Sequence, residues 1–361
     1  MSSLINFYKN IKTFTNPNQL GYIILYVTNV CNFRCNFCFY YAEIEKGRKP
    51  NELSLNEMDK ISSSVGSLLQ LSMTGGEPFI RKDLSEVTNI WVKNTGVRYI
   101  TIPTNGWLTD KTVDYLEQAL PNNPDTYFRL TFSIDGIGEE HDENRSKPGS
   151  YKKIIETVKA VKPLQKKYNN LTLDSNTVFT IKTHSKIVNI LKTIKEQFDF
   201  DNMTVTYARG SIKDESLKAY GEKEYKEMNK YLSELERKKE KRFLYPLYRG
   251  VRDTAWENLI QTVFHDEFVS PCVAGRKMIV IGETGDVFPC EVLENSKIGN
   301  VRDYNYNIPN LLKSEKSRKQ YQWIVDSKCK CSFECALAAN VTWTPKMYPR
   351  LIKSAIKNIG K

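Results

Sequence analysis

Between residue 20 and about residue 210 the chain alternates two hydrophobic periodicities. Runs rich in β-branched and aromatic residues lie at 22–30 (YIILYVTNV), 68–75, 97–106, 127–136, 171–181 and 202–210. Their composition is that of strands. Between them, apolar residues recur at three- and four-residue steps through 54–68, 109–120, 150–164 and 184–198, the stripe of an amphipathic helix. Ser54 followed three residues later by Glu57 predicts a capped helix start. Six strand–helix repeats predict a parallel sheet, because parallel neighbours need a long return connection and such crossovers are right-handed. A sheet of this kind curls into a full or partial barrel with its working loops at the C-terminal ends of the strands.

The pattern changes after residue 210. Residues 211–245 are highly charged and helical in pattern, and 277–293 reads as a hairpin turned at Glu283-Thr284-Gly285-Asp286. The expected organisation is a partial barrel over 1–210 with an N-terminal extension at 1–20, a helical bridge over 211–265, a small hairpin-plus-helix domain over 266–340, and a basic amphipathic tail over 341–361. The fold class is α/β: a partial (β/α)6 barrel with a smaller C-terminal domain.

Composition narrows the function classes. Hydrophobic content of 40% and charged content of 26% describe a folded globular chain rather than a disordered one. No apolar run reaches membrane-spanning length, and the first residues lack a secretory h-region. The expected location is therefore the reducing cytoplasm, where the eight cysteines are metal ligands rather than disulfide partners. The net charge of +11 favours acidic partners, although no nucleic-acid-reading motif is present. Both ends are basic and amphipathic. Leu4, Phe7, Tyr8, Ile11 and Phe14 recur beside Lys9 and Lys12, and after Glu334 no acidic residue follows. Lys346, Arg350, Lys353, Lys357 and Lys361 line Leu351, Ile352, Ala355, Ile356 and Ile359. Two readings stand: a stripe docked on the chain's own barrel, or a membrane-peripheral helix on an anionic surface. The short stretch before the first strand leaves little room for a peptide-recognition domain, which disfavours a modifier of ribosomal peptides.

The chemistry begins at Cys31-x3-Cys35-x2-Cys38, directly after the first strand. A loop of this length wraps three thiolates around one inorganic cluster. Structural zinc closes with four protein ligands, and no fourth Cys or His is near, the first histidine being His141. Three ligands leave one iron of a [4Fe–4S] cluster open. At this point the sequence resembles the radical S-adenosylmethionine (SAM) superfamily, whose hallmark is this cysteine motif with an aromatic, here Phe37, before its last cysteine. Thr74-Gly75-Gly76-Glu77-Pro78 ends the second strand where that family seats the methionine part of SAM. Glycines admit close backbone approach, and the Glu77 carboxylate can pair with the SAM ammonium. Thr104-Asn105-Gly106, Ser133-Ile134-Asp135-Gly136 and Asn176-Thr177-Val178 follow in family order. The resemblance implies that Ser133, Arg145 and Asn176 contact SAM, that Phe37 walls its adenine, and that a flavodoxin or ferredoxin supplies electrons.

A second pattern, Cys272-x12-Gly285-x4-Cys290, resembles the start of the SPASM/Twitch extension, which holds auxiliary iron–sulfur clusters. Cys329, Cys331 and Cys335 would complete one auxiliary [4Fe–4S] cluster. Five cysteines compete for four positions, and spacing does not say which of the last three is spare. The full SPASM pattern of seven cysteines is not met. The resemblance implies reductive cleavage of SAM and hydrogen-atom abstraction from an organic substrate, either small and polar, sugar- or lipid-linked, or peptide. The auxiliary cluster then accepts an electron in a net oxidation. Epimerisation with a cysteine hydrogen donor is the alternative within the family, and a non-enzymatic iron–sulfur or zinc protein is the alternative outside it.

Overall fold

A computed structural model describes residues 11–218, 221–236, 245–293 and 295–358. Leu4, Phe7, Tyr8, Lys9, Ile359 and Lys361 lie outside these residues. The six expected strands form as β1 (Tyr22–Thr28), β2 (Gln70–Gly75), β3 (Tyr99–Thr104), β4 (Tyr127–Ser133), β5 (Leu171–Phe179) and β6 (Asn202–Tyr207). Each pairs in parallel with its sequence neighbour. Helices precede and connect them: α1 (Tyr41–Glu45), α2 (Leu55–Val65), α3 (Leu84–Thr95), α4 (Thr109–Asn122), α5 (Glu139–Asn144), α6 (Ser150–Lys167) and α7 (Ile187–Phe198). The start of α2 is the expected capping box, with Ser54 and Glu57 bonding reciprocally.

Alternation along β1 sets the layers. Ile23, Leu25 and Val27 pack outward with Met58 and Ile61 of α2 and Val87 and Trp91 of α3. Tyr22, Ile24 and Tyr26 face the concave side.

Beyond the barrel come α8 (Glu222–Glu236), α9 (Tyr245–Phe264), β7 (Met278–Ile281), β8 (Asp286–Phe288), β9 (Gly299–Asn300), α10 (Ile308–Leu312), α11 (Glu315–Asp326), α12 (Glu334–Trp343) and α13 (Tyr348–Lys357). The β7–β8 hairpin forms as the turn residues require, but it is not a free-standing unit. β7 pairs in parallel with β1, with Tyr22 opposite Met278. One nine-stranded sheet results, in the order β6-β5-β4-β3-β2-β1-β7-β8-β9. Against the concave face of β1 and β7 lie Phe333, Ala336, Ala339 and Trp343, three of them on α12. The chain thus fills the open side of its half-barrel with the segment that carries the last cysteines. Gly21 makes this possible at the lower end, since a Cβ there would stand 2.2 Å from the Trp343 ring.

Lys277, just before β7, is buried, and among the described residues no carboxylate pairs with it. Its ammonium donates to three backbone carbonyls, Thr13 (2.8 Å), Asn16 (2.6 Å) and Gln19 (3.1 Å), and so ties the entry segment to the added strands. Lys277→Met leaves these acceptors without their donor. Denaturant titration should show a loss on the order of 1–3 kcal/mol, and an unchanged midpoint would contradict the assignment.

Candidate active site at the strand ends

The loop after β1 and the loop after β2 are stitched backbone to backbone. Gly76 N–H donates to the Thr28 carbonyl at 2.8 Å, and Glu77 N–H donates to the Val30 carbonyl at 2.9 Å. The approach is too close for side chains: a Cβ on Gly75 would stand 2.2 Å from Thr28 O, and one on Gly76 2.0 Å from Val30 O. Gly75 also has φ +122°, a conformation reserved for glycine. Cys31 therefore follows directly from a fixed point.

Glu77 lies beneath that stitch, 2% exposed. Its carboxylate accepts from Thr104 Oγ1 (2.8 Å), Asn105 N (2.8 Å) and Phe79 N (3.4 Å), which joins the third strand end to the first two. Asn105 Nδ2 reaches across to Asn32 Oδ1 at 2.8 Å, inside the cysteine loop. Burial raises the Glu77 carboxyl to about 7, against the pull of its three donors. A cation beside it would restore the ionised form.

Cys31, Cys35 and Cys38 are free thiols; beyond burial, Glu77, Cys35 and Cys38 disfavour a thiolate at Cys31, and Cys35 disfavours one at Cys38. Burial pushes Cys31 to about 12 and Cys38 to about 11. Each bare thiol is therefore protonated, and ligation must displace its proton. Arg145 brings the opposing charge. Its Nη1 is 3.8 Å from Cys35 Sγ, its Nε donates to Asp135 Oδ2 at 2.5 Å, and its guanidinium lies 5.3 Å from the centre of the Phe37 ring. Asp135 is locked in turn by Val178 N–H, by its own N–H donating to His141 Nδ1, and by Asn144 Nδ2 on its carbonyl.

Sequence-marked residues thus meet from four strand ends. Gly75, Gly76 and Glu77 touch the cysteine loop, and so does Arg145. Ser133 ends β4 opposite Asn176 of β5. Asn176 is engaged sideways with Thr204 and Thr206 of β6. Phe37 packs with Ala208, Ile212 and Leu217 as well as under Arg145. The three thiols, the uncompensated Glu77 and the glycine backbone together fit a cluster with one open iron and an ammonium-bearing ligand. Among the described residues no three His, Cys, Asp or Glu side chains crowd around one point as a mononuclear ion requires; a four-iron cluster spreads its ligands more widely.

The remaining five cysteines gather in one apolar cluster. Cys272, Cys290, Cys329 and Cys331 act on one another electrostatically, while Cys335 also faces the charges of Arg209, Glu291 and Glu334. Arg209 is the hinge of this chamber. It pairs with Glu291 (3.1 Å) and Glu334 (3.7 Å), and its guanidinium lies 5.0 Å from the Phe39 ring and 4.5 Å from that of Phe333. Phe39 adjoins Cys38, while Phe333 stands two residues past Cys331, so one side chain spans the two cysteine groups. Tyr26 donates to Glu291 at 2.7 Å. A cavity of about 300 Å³ opens beside Arg209 and Cys331.

Tyr207 and Arg209 end the strand-like segment 202–210, a position that predicts side chains on the substrate side of the barrel. Only Arg209 lies there. Tyr207 packs outward among Phe179, Tyr225 and Phe264, as its alternation with Met203 and Val205 requires. Asp135, Glu291 and Glu334 were missed as site residues. The available signal was a carboxylate next to, or spaced from, metal-type cysteines in otherwise apolar segments.

Residues 25–194 match the family model described as the Radical SAM superfamily. The chain therefore carries a radical SAM domain over these residues, just under half of its length. The superfamily implies a [4Fe–4S] cluster and bound SAM. The cysteine-type anaerobic sulfatase-maturating enzyme of Clostridium novyi is 26% identical over 91% of this chain and 86% of its own length. A GTP 3',8-cyclase of Actinobacillus pleuropneumoniae serotype 7 is 33% identical over 103 residues, only 28% of this chain and 30% of the cyclase. The solved structure of anSMEcpe with bound AdoMet superposes with a TM-score of 0.58 at 19% identity, covering 93% of this chain and 99% of that one. Streptococcus suis SuiB bound to the precursor peptide SuiA gives 0.59 at 17% identity, covering 92% and 75%. These structures share the radical SAM fold with this chain.

Gly76→Ala forces a methyl into the Val30 carbonyl. SAM cleavage should be lost and stability should fall by ~1–3 kcal/mol; near-normal activity would contradict the stitch. Glu77 adds a pH signature. Its raised pKa means folding carries no penalty from this group below about pH 4.5 and the full penalty above about 7. In the cofactor-free protein, Glu77→Gln should therefore gain stability relative to wild type as pH rises from 4.5 to 8, by up to ~3 kcal/mol. A pH-independent difference in denaturation midpoints would refute it.

Proposed function

We propose that this enzyme oxidises a peptide substrate by radical SAM chemistry, with one auxiliary [4Fe–4S] cluster in a Twitch-like extension as the second redox site. The observation that carries the reading is the Arg209 bridge, which joins the Cys31–Cys38 loop to the Cys272–Cys331 group across a polar chamber. Support for a peptide comes from the near full-length similarity to a sulfatase-maturating enzyme and from the fold shared with SuiB, solved with a precursor peptide. This runs against the expectation drawn from the short entry segment.

Cys31, Cys35 and Cys38 would hold the first cluster. Gly75, Gly76 and Glu77 would seat the methionine part of SAM, with Ser133 and Asn176 as further contacts and Phe37 toward the adenine. When bound, the reduced cluster and SAM supply the radical that removes a hydrogen atom from substrate. The chain's own residues position and shield. Glu77 offers its carboxylate to the SAM ammonium, and Arg145 holds positive charge against Cys35. Arg209, Glu291 and Tyr26 line the substrate side. An external flavodoxin- or ferredoxin-type protein would deliver electrons.

The five-for-four competition resolves in this reading as Cys272, Cys290, Cys329 and Cys331 on the auxiliary cluster, with Cys335 remaining a thiol among Tyr22, Arg209 and Glu291. Such a thiol is also what a redox-neutral epimerisation would use to return hydrogen. Solvent deuterium appearing in the product would favour that second reading.

Anaerobic reconstitution should load about eight irons per chain, as two four-iron clusters, and yield 5'-deoxyadenosine after chemical reduction. Cys335→Ala should keep about eight and Cys272→Ala about four. Loss of half the iron in Cys335→Ala would reverse the ligand assignment. Wild-type protein with about four irons would remove the auxiliary cluster altogether.

A further inference from the structure

We infer that the outer face of α13 is a docking surface for an anionic lipid bilayer. The helix divides its apolar residues between two jobs. Its inner side is spent on α9: Leu351 is buried, and the backbone of Leu351 and Ala355 runs so close to Gly250 that a Cβ there would stand 3.0 Å from each. Asn358 reaches Asp253 of the same helix at 3.1 Å. Ile352 and Ile356, one turn apart, take no part in this contact and are 53% and 61% exposed. They are the most exposed large apolar side chains among the described residues.

Cations flank this pair. Lys346, Lys353 and Lys357 are exposed along the same outward half of the segment, and Arg350 beside them meets Glu257 only at 3.6 Å. No acidic residue follows Glu334 in the sequence, so α13 itself carries only positive charge; the carboxylates that meet it are Glu257 and Asp253 of α9. Two β-branched side chains in a row bordered by ammonium groups match a bilayer interface, where apolar groups enter the acyl boundary and lysines meet phosphate headgroups. A nucleic acid would satisfy the cations but give the isoleucines nothing to enter.

The location supports the same occupant. α12 runs from Glu334, at the Arg209 chamber, to Trp343, which packs on Gly21 just ahead of β1. α13 follows it, so it lies at the end of the barrel opposite the strand C-termini. Leu247 and Tyr248 at the start of α9, and Phe14 with its ring 6.2 Å from Trp343, are exposed at this same end. A bilayer on this face leaves the chamber open to water, so recruitment does not obstruct a peptide substrate.

The test is sedimentation of reconstituted full-length protein, at low salt, with vesicles of equal parts phosphatidylglycerol and phosphatidylcholine and with vesicles of phosphatidylcholine alone. Wild type should pellet with the first and not the second. Both Ile352→Asp/Ile356→Asp and Lys346→Gln/Lys353→Gln/Lys357→Gln should weaken binding at least about tenfold while SAM cleavage and the circular-dichroism spectrum stay unchanged. No pelleting of wild type, or equal pelleting of the isoleucine variant, overturns the inference. So does a wild-type dimer in light scattering that the isoleucine variant converts to monomer, which would make the occupant a second copy. Duplex DNA binding lost in the lysine variant but kept in the isoleucine variant, without vesicle binding, would do the same.

Discussion

Everything at the mouth of this barrel depends on two peptide groups that lie closer to a neighbouring strand than any side chain permits. Gly76 and Glu77 donate to the carbonyls of Thr28 and Val30, and the missing Cβ atoms of Gly75 and Gly76 are what let them do so. The tie ends β1 and β2 in register and starts the cysteine loop at a defined point. It also brings Glu77 under Cys31, where the carboxylate gathers Thr104 and Asn105 from the third strand end. Backbone hydrogen bonds are well suited to this task, because they position a ligand-binding loop without occupying the space that the ligand needs.

A second set of constraints comes from buried charge. Arg145 with Asp135, and Arg209 with Glu291 and Glu334, are ion pairs withdrawn from water. Such pairs are costly to desolvate and repay the cost only with good geometry and further hydrogen bonds. Both arginines sit against cysteines and aromatic faces. Their value is placement: Arg145 carries a fixed positive charge to Cys35, which would become anionic on ligation, and Arg209 carries one between Glu291 and Glu334 beside Cys335. The insertion of α12 into the concave side of β1 and β7 completes this arrangement, since it carries Glu334 and Cys335 into the chamber on one rigid helix.

Much of this was legible beforehand because it is local. The six strands, their helices and the Ser54 cap follow from periodicity within a few turns. The cysteine loop and the Gly-Gly-Glu-Pro turn follow from chemistry that tolerates few alternatives. What escaped was long-range. β7 is a short apolar strand with no feature that distinguishes pairing with β1 from pairing with its own hairpin alone, and it does both. Arg145 and Cys35 are 110 residues apart, and nothing in the order of either segment announces their contact. Tyr207 is the instructive error. Its face could have been counted from Met203 and Val205, but its place at a strand end, next to an arginine, drew attention to chemistry before alternation.

The proposed function turns on one chain organising two separate iron–sulfur sites on either side of Arg209. Anomalous diffraction at the iron edge, from anaerobically grown crystals of the reconstituted enzyme, tests it most directly. The account predicts two iron peaks, one bounded by Cys31, Cys35 and Cys38 and the other by Cys272, Cys290, Cys329 and Cys331, with Arg209 between them. A single peak, a zinc-edge signal at either position, or Cys335 in the second coordination sphere in place of one of its four neighbours would contradict it.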